Sequence, residues 1–261
     1  MLTSEDMYSC GIFLNSVLPL LKVIVESDKK LSEFYKNKSA KIQISARGDK
    51  EKVGTHYIIE NGKWTVVKGV IEDVDVELEF SSIPHLNSFF SGKSKKLPKI
   101  KGIRNLGLLT NTLKALMKMS SLLGTKTPPK EVKDKELLTK LYFYLLSSGI
   151  SQLNKLGHPD VSKWAKRSPD RVYAWTIAGN PEISAYLRVK GGNTKSAKGE
   201  YKRSKPFFTM KFRDVDSALG ILLEIDDLIK ATIAGRIVME GAPEFGAQIG
   251  DFMTLVGSYA K

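Results

Sequence analysis

Residues 74–90 read VDVELEFSSIPHLNSFF, and they predict a strand that runs directly into a helix. Apolar and acidic residues alternate from Val74 to Phe80, which is the pattern of a half-buried strand. Ser82 then precedes the helical stretch, and serine is a good N-cap. A short segment that ends in glycine, residues 99–102, predicts one more strand, and an amphipathic helix follows from Leu106.

The same order of elements returns about 130 residues later, which indicates an internal repeat. Residues 207–212 predict the strand, Asp214 caps the helix, and residues 236–241 match the short strand that ends in glycine. Each half also opens with an apolar helical region, at 12–35 and at 137–166, then a small basic cluster and a hairpin.

This order predicts an α+β fold with two domains, each a mostly antiparallel sheet covered by helices. Paired prolines and many charges between the halves indicate a linker. We place the first domain at residues 1–124, the linker at 125–136 and the second domain at 137–261.

The segment from Phe80 to Lys93, followed by Lys99-Ile-Lys-Gly102 and Leu106-Gly107, resembles the sterol carrier protein type 2 lipid-binding domain. The second half, through residues 210–219, 235–241 and 245–246, is similar to a more diverged copy. The resemblance implies two tandem sterol-carrier-like domains. It also implies an apolar tunnel beneath the last helix for a fatty acyl, sterol-like or phospholipid ligand.

Helical spacing places apolar residues of both terminal helices on one face, in the first half Leu109, Leu113 and Leu116. Core packing is the plain interpretation of such a face. The functional one is a cavity, because leucine, methionine and phenylalanine bind a hydrocarbon chain with few polar groups. The predicted ligand-binding residues are Phe80, Phe89, Phe90, Leu109, Leu113, Leu116, Met117, Phe212, Leu219, Ile249, Phe252 and Met253.

The net charge of +13 points to an anionic partner. Ten Lys or Arg residues and no acidic residue lie between Gly92 and Lys130. A solvated surface is the plain interpretation, and peripheral contact with an anionic membrane is the functional one, since each basic residue there contributes about 1 kcal/mol. The predicted membrane-binding residues are Lys93, Lys95, Lys96, Lys99, Lys101, Lys114 and Lys118.

Nucleic acid is another polyanion that a basic surface attracts. The segment from Gly92 to Lys130 has no aromatic residue for base stacking and far more lysine than arginine, which argues against nucleic acid. The alternative left open is a protein- or RNA-binding module, or an accessory subunit, whose domains have no cavity.

The sequence contains no motif for catalysis or metal binding. The Gly-Lys-Ser at 92–94 lacks the earlier glycine of a P-loop, and Cys10 has no nearby histidine to activate it. One cysteine and three isolated histidines argue against a metal site. We therefore expect a non-catalytic carrier with no metal and no cofactor.

No apolar run in the sequence reaches the roughly 20 residues of a membrane span. Acidic residues also occupy the N-terminal positions where a signal peptide is basic. We expect a cytoplasmic protein.

Overall fold

The structure is a computed structural model that describes residues 2–260. The chain divides into two compact units: unit 1 runs to Ser121 and includes the residues from Ser258, and unit 2 is Leu122–Gly257. Each unit combines one five-stranded sheet with helices, which confirms the predicted α+β class. A helix begins at Val132, inside the segment predicted as a linker, whose residues 125–131 lie outside helices and strands.

Unit 1 has a sheet of order β3-β2-β1-β4-β5, in which β1 and β4 are parallel and the other neighbours antiparallel. The strands are β1 (Ala40–Arg47), β2 (Lys52–Glu60), β3 (Lys63–Lys68), β4 (Val76–Phe80) and β5 (Lys99–Lys101). The helices are α1 (Ser4–Ile12), α2 (Leu21–Ser27), α3 (Lys29–Tyr35), α4 (Ile83–Phe90) and α5 (Leu106–Leu123).

Unit 2 repeats this strand order as β8-β7-β6-β9-β10, again with one parallel pair, β6 with β9. The strands are β6 (Arg171–Ile177), β7 (Asn180–Lys190), β8 (Asn193–Lys198), β9 (Phe208–Phe212) and β10 (Ile237–Glu240). The helices are α6 (Val132–Lys155), α7 (Pro159–Arg167), α8 (Val215–Leu222), α9 (Leu228–Ile233) and α10 (Pro243–Tyr259). Helix α9 has no counterpart in the order of unit 1.

A π-helical turn, Phe13–Val17, and a 3-10 turn, Leu18–Leu20, join α1 to α2. Pro19 lacks an N–H, so the helix there cannot keep its regular hydrogen bonds. The Tyr57 hydroxyl on β2 donates at 2.8 Å to the carbonyl of Leu18, which also accepts from the Leu21 N–H. The irregular turn thereby becomes a point of attachment between helix and sheet.

The helical run Ser4–Ser27 is long and apolar enough to cross a membrane by length and composition alone. The run was not predicted as a span because Asn15, Pro19 and Lys22 interrupt its apolar stretch. Of its most apolar window, 78% is buried inside the protein, where the run packs as a core helix of unit 1.

The segment between β3 and β4 covers the sheet face opposite the helices. The Gly69 carbonyl lies 2.9 Å from His56 Nδ1, and the Ile71 N–H donates to Gln43 Oε1 at 2.7 Å. Glu77 and Glu79 point to this covered face and are buried. The alternation along β4 therefore marks two buried faces, and the prediction of a half-buried strand was wrong for this reason.

Candidate functional site

Three of the predicted ligand-binding residues of unit 1 form one aromatic cluster. The ring of Phe80 on β4 lies 5.2 Å from that of Phe89 and 5.6 Å from that of Phe90, measured between centroids. Phe13 extends the cluster at 5.7 Å from Phe90. Phe80 is buried, whereas Phe89 and Phe90 are half-buried on α4, so the cluster reaches the surface of unit 1.

Helix α5 carries the other predicted residues of this set. Leu109 is buried, Leu113 and Leu116 are half-buried, and Met117 is 64% exposed. The buried face of the helix is centred on Leu108, Thr112, Ala115 and Met119, with Leu109 at its edge, and Met117 points away from it.

In unit 2 the predicted ligand-binding residues are packed more closely. Phe212, Leu219 and Ile249 are almost fully buried, and Phe212 stacks on Phe143 at 5.7 Å. Phe252, also buried, meets the ring of Trp164 at 5.2 Å. The half-buried Met253 accepts a weak hydrogen bond from Trp175 Nε1 at 3.3 Å.

The predicted membrane-binding lysines divide into two groups. Lys101 lies 2.9 Å from a Glu77 oxygen and 2.6 Å from a Glu79 oxygen, and Lys118 lies 2.6 Å from an Asp28 oxygen. The hydrogen bonds that Lys101 donates to Glu79 and Glu77 raise its pKa, so this lysine is paired within the sheet. Within residues 2–260, the others are exposed and form no ion pair: Lys93, Lys95, Lys96, Lys99 and Lys114.

Four large aliphatic side chains are exposed along the same stretch of chain, and sequence reasoning missed three of them. Leu97 is 71% exposed, Ile103 62%, Leu106 63% and Met117 64%. We name residues 93–117, with these side chains and the five unpaired lysines, the basic segment. The signal for it was present in the sequence, because Leu97 and Ile103 lie within a run of basic residues.

His85 fixes the first part of the basic segment to α4. Its Nε2 lies 2.9 Å from the carbonyl oxygen of Lys96, and its Nδ1 lies 3.0 Å from Ser81 Oγ. The ring therefore carries its hydrogen on Nε2 and donates it to the loop. This placement agrees with a structural role for His85.

Each unit has an open cleft at the same place in its fold. In unit 1 a cleft of about 430 Å³ lies between the end of α3, the start of β1 and the start of α5, beside Phe34, Lys38 and Arg104. In unit 2 a cleft of about 410 Å³ lies between α7, the start of β6 and α10. The residues that line the second cleft are Asp160, Lys163, Trp164, Arg167, Ser168, Arg171, Gln248 and Phe252.

Among residues 2–260, no group of three or more His, Cys, Asp or Glu side chains could hold a metal ion. The thiol of Cys10 is buried, and burial together with Asp6 raises its pKa to about 12. The thiol is therefore protonated at neutral pH and is a poor nucleophile.

No protein-family model matches the chain, and no curated protein matches it. A solved structure of a conserved hypothetical protein from Thermus thermophilus, possibly a sterol carrier protein, is 14% identical with a TM-score of 0.27 over 39% of this chain and 84% of that one. An inverting sec-alkylsulfatase from Pseudomonas sp. is 13% identical with a TM-score of 0.27 over 57% of this chain and 29% of that one. Likeness at this level carries no argument about what the present chain binds.

Proposed function

We propose that the protein is a non-catalytic lipid-binding protein. In this proposal, unit 1 docks peripherally on anionic membranes, and an acyl or sterol-like ligand is held in an apolar site beneath the last helices. The observation that carries the proposal is the basic segment, where unpaired lysines and exposed aliphatic side chains occur together.

Each kind of side chain supplies one part of the attraction to a membrane. A lysine near an anionic surface contributes about 1 kcal/mol, and exposed apolar area gains about 25 cal/mol per Å² when it leaves water. Peripheral proteins generally need two such signals for stable attachment. A solvated basic surface, the plain interpretation, does not account for Leu97, Ile103, Leu106 and Met117 being exposed beside the lysines.

The aromatic cluster of unit 1 supports the ligand half of the proposal. Helix α4 carries Phe89 and Phe90 and ends at the residue before Ser91, so the chain passes from the cluster into the basic segment within one turn. An acyl chain that left a membrane docked at Lys93 would meet half-buried aromatic rings first. Each methylene buried there would contribute roughly 0.8 kcal/mol.

We also propose that the two units are tandem copies of one sterol-carrier-like domain and that the protein works in the cytoplasm. The common strand order of the two sheets supports the first statement.

Vesicle co-sedimentation tests the docking. Full-length protein is mixed with phosphatidylcholine vesicles that contain or lack phosphatidylserine, and we expect binding only to the former. Replacing Lys93, Lys95, Lys96 and Lys99 by glutamine should weaken binding roughly a hundredfold or more, at about 1 kcal/mol per lysine. The matched control replaces four exposed lysines of unit 2 that form no ion pair: Lys133, Lys155, Lys195 and Lys202.

Equal losses in the two quadruple variants would show that only net charge matters and would contradict docking through the basic segment. Ligand binding is tested separately, by native mass spectrometry of gently purified protein and by titration with a fluorescent fatty acid. The absence of both a co-purified lipid and probe binding would favour the cavity-free binding module instead.

A further inference from the structure

We propose that the cleft of unit 2 binds a phosphate monoester that carries an apolar chain. The inference goes beyond membrane docking by unit 1, and it rests on the proposed lipid binding only for the apolar chain. Four features of the cleft lead to it: its cations, its aromatic residues, the fixed position of one arginine and its net charge.

Three cations surround the cleft. Lys163 and Arg167 lie one turn apart on α7 and are exposed, and Arg171 is half-buried at the start of β6. Within the described part of the chain, none of the three forms an ion pair with a carboxylate. The nearest acidic residue in sequence to Arg171 is Asp170, which is occupied by Arg188 at 2.5 Å and Lys190 at 3.5 Å.

Arg171 is held in place by aromatic rings. Its guanidinium lies 4.0 Å from the centroid of Phe207 and 4.7 Å from that of Phe245, and the two rings are 4.7 Å apart. Cation–π contacts of this kind restrict the side chain without neutralising it. An arginine that is positioned before the ligand arrives loses less conformational entropy on binding.

Two aromatic residues line the cleft together with the cations. Trp164 and Phe252 are both buried and meet edge to face. A volume of about 410 Å³ falls within the range of small-molecule sites, which combine an apolar wall with a few polar groups. The cleft therefore offers one surface to a hydrocarbon chain and another to an anionic head.

The net charge of the cleft indicates which anionic group of the ligand it would bind. Asp160 is the one acidic residue that lines the cleft, so the three cations leave a net charge of +2. A phosphate monoester, which is close to dianionic at neutral pH, matches that charge better than a carboxylate does. Arginine is also well suited to phosphate, because its planar guanidinium can donate two parallel hydrogen bonds to it.

Octyl phosphate is the probe that tests the inference, with calorimetry on the full-length protein. NMR of the Trp164 indole N–H, assigned with Trp164→Phe, reports whether binding occurs at this cleft. We expect octyl phosphate to bind more tightly than octanoate, inorganic phosphate or octanol, and to shift the Trp164 signal. The Lys163→Gln/Arg167→Gln variant changes two exposed residues and should bind roughly tenfold to a hundredfold more weakly.

The matched control changes the unit 1 cleft, as Lys38→Gln/Arg104→Gln, and should leave octyl phosphate affinity unchanged. Any of three results overturns the inference: no shift of the Trp164 signal, equal affinity in wild type and Lys163→Gln/Arg167→Gln, or octanol binding as tightly as octyl phosphate. Vesicle binding through the basic segment is a separate measurement, so either proposal can fail while the other stands.

Discussion

The two sheets have the same strand order but differ in the side chains on the face opposite the helices, which the segment before β4 or β9 crosses. In unit 1 the buried carboxylates of β4, Glu77 and Glu79, contact Lys52, Lys101 and Arg47 from three other strands. The registers show what stands in their place in unit 2. Thr209 and Lys211 replace the two glutamates, and Glu240 on β10 replaces Lys101.

Two other positions on this face are more polar in unit 1 than in unit 2. Gln43 and its neighbour across the ladder, His56, are polar in unit 1, whereas Ala174 and Tyr186 occupy the matching places in unit 2. Tyr186 packs against Tyr201 of the crossing segment at 5.0 Å. The strand order thus tolerates either an ionic network or an aromatic contact beneath the crossover, so topology depends on the pattern of core residues rather than on this face.

Breaking the ionic network should have the largest effect. The double substitution Lys52→Met/Lys101→Met leaves the Glu77 carboxylate buried with two neutral partners, and we expect a cost of about 3 kcal/mol or more in unit 1. In unit 2, Lys211→Met removes an ion pair of 3.9 Å between exposed or half-exposed groups and should cost at most about 0.5 kcal/mol. Hydrogen exchange of β1 and β4 against β6 and β9 measures both, and similar losses would refute the contrast.

A pair of equivalent glycines gives the next largest effect. Gly102 and Gly241 each follow the short edge strand, with φ of +80° and +127°. A Cβ on Gly102 would lie 1.8 Å from the Asp75 carbonyl oxygen, whereas on Gly241 the nearest atom, of the Phe208 ring, would be 2.8 Å away. We expect Gly102→Ala to destabilise its unit by about 2–3 kcal/mol and Gly241→Ala by about half as much. Denaturant unfolding monitored by hydrogen exchange would show the order, and a reversed order would disprove this account.

Acid should affect unit 1 before unit 2. Burial by itself raises the pKa of Glu77, but hydrogen bonds from Lys52, Ser45, Lys101 and Gln43 outweigh it and hold the pKa at about 2. Because the pKa is lowered in the folded state, this stability is complete above the unfolded value of 4.5 and is lost as pH falls from there towards 2. We expect a loss of roughly 2 kcal/mol in protection of β4, after correction for intrinsic exchange rates. Glu77→Gln should remove that pH dependence, and its persistence in the variant would assign it to another group.

Residues 74–90 show how far the sequence could lead. The strand, the Ser82 cap and the following helix are all present, because local alternation and capping chemistry determine them. The burial of Glu77 could not be predicted from the alternation along β4. It depends on the segment between β3 and β4, which is held over this face by contacts with His56 and Gln43 on other strands. Strand β8, which reads NTKSAK, was missed because it has no large apolar residue and is placed by pairing with β7 and by hydrogen bonds from Ser151 and Asn154 of α6 to Thr194.

The candidate sites also combine features that the sequence shows with features that only the fold creates. The lysines of the basic segment were visible as a run of like charge, but the pairing of Lys101 and Lys118 depends on partners distant in sequence. The unit 2 cleft was missed although Lys163 lies in the predicted helical region 137–166 and Arg167 follows directly after it. What makes them a site is the meeting of α7 with Arg171 and α10, which only the fold brings about.

The last helices of the two units, α5 and α10, differ in how they are held to their units. This difference has the smallest expected effect on stability, but it bears directly on ligand entry. Helix α5 packs a buried apolar face on unit 1 and adds two polar contacts to it: Thr112 Oγ1 accepts from the Tyr35 hydroxyl at 3.2 Å, and Lys118 donates to Asp28 at 2.6 Å. Helix α10 is attached to unit 2 by apolar packing, with Val256 so close to α6 that a Cβ on Gly149 would lie 2.5 Å from it. Polar contacts are exchanged for water more readily than interlocked apolar side chains, so we expect α5 to be displaced more easily than α10.

Thr112→Val removes the hydrogen bond from the Tyr35 hydroxyl and the one to the Leu108 carbonyl, so it should cost about 1–2 kcal/mol and loosen α5. We expect a fluorescent fatty acid to enter unit 1 of this variant faster than in wild type, with hydrogen exchange of α5 raised and that of α10 unchanged. Met253→Leu is the matched change in α10, since it removes one weak sulfur contact and keeps the volume. If Thr112→Val loosened α5 without accelerating probe uptake, ligand entry would not pass beneath this helix.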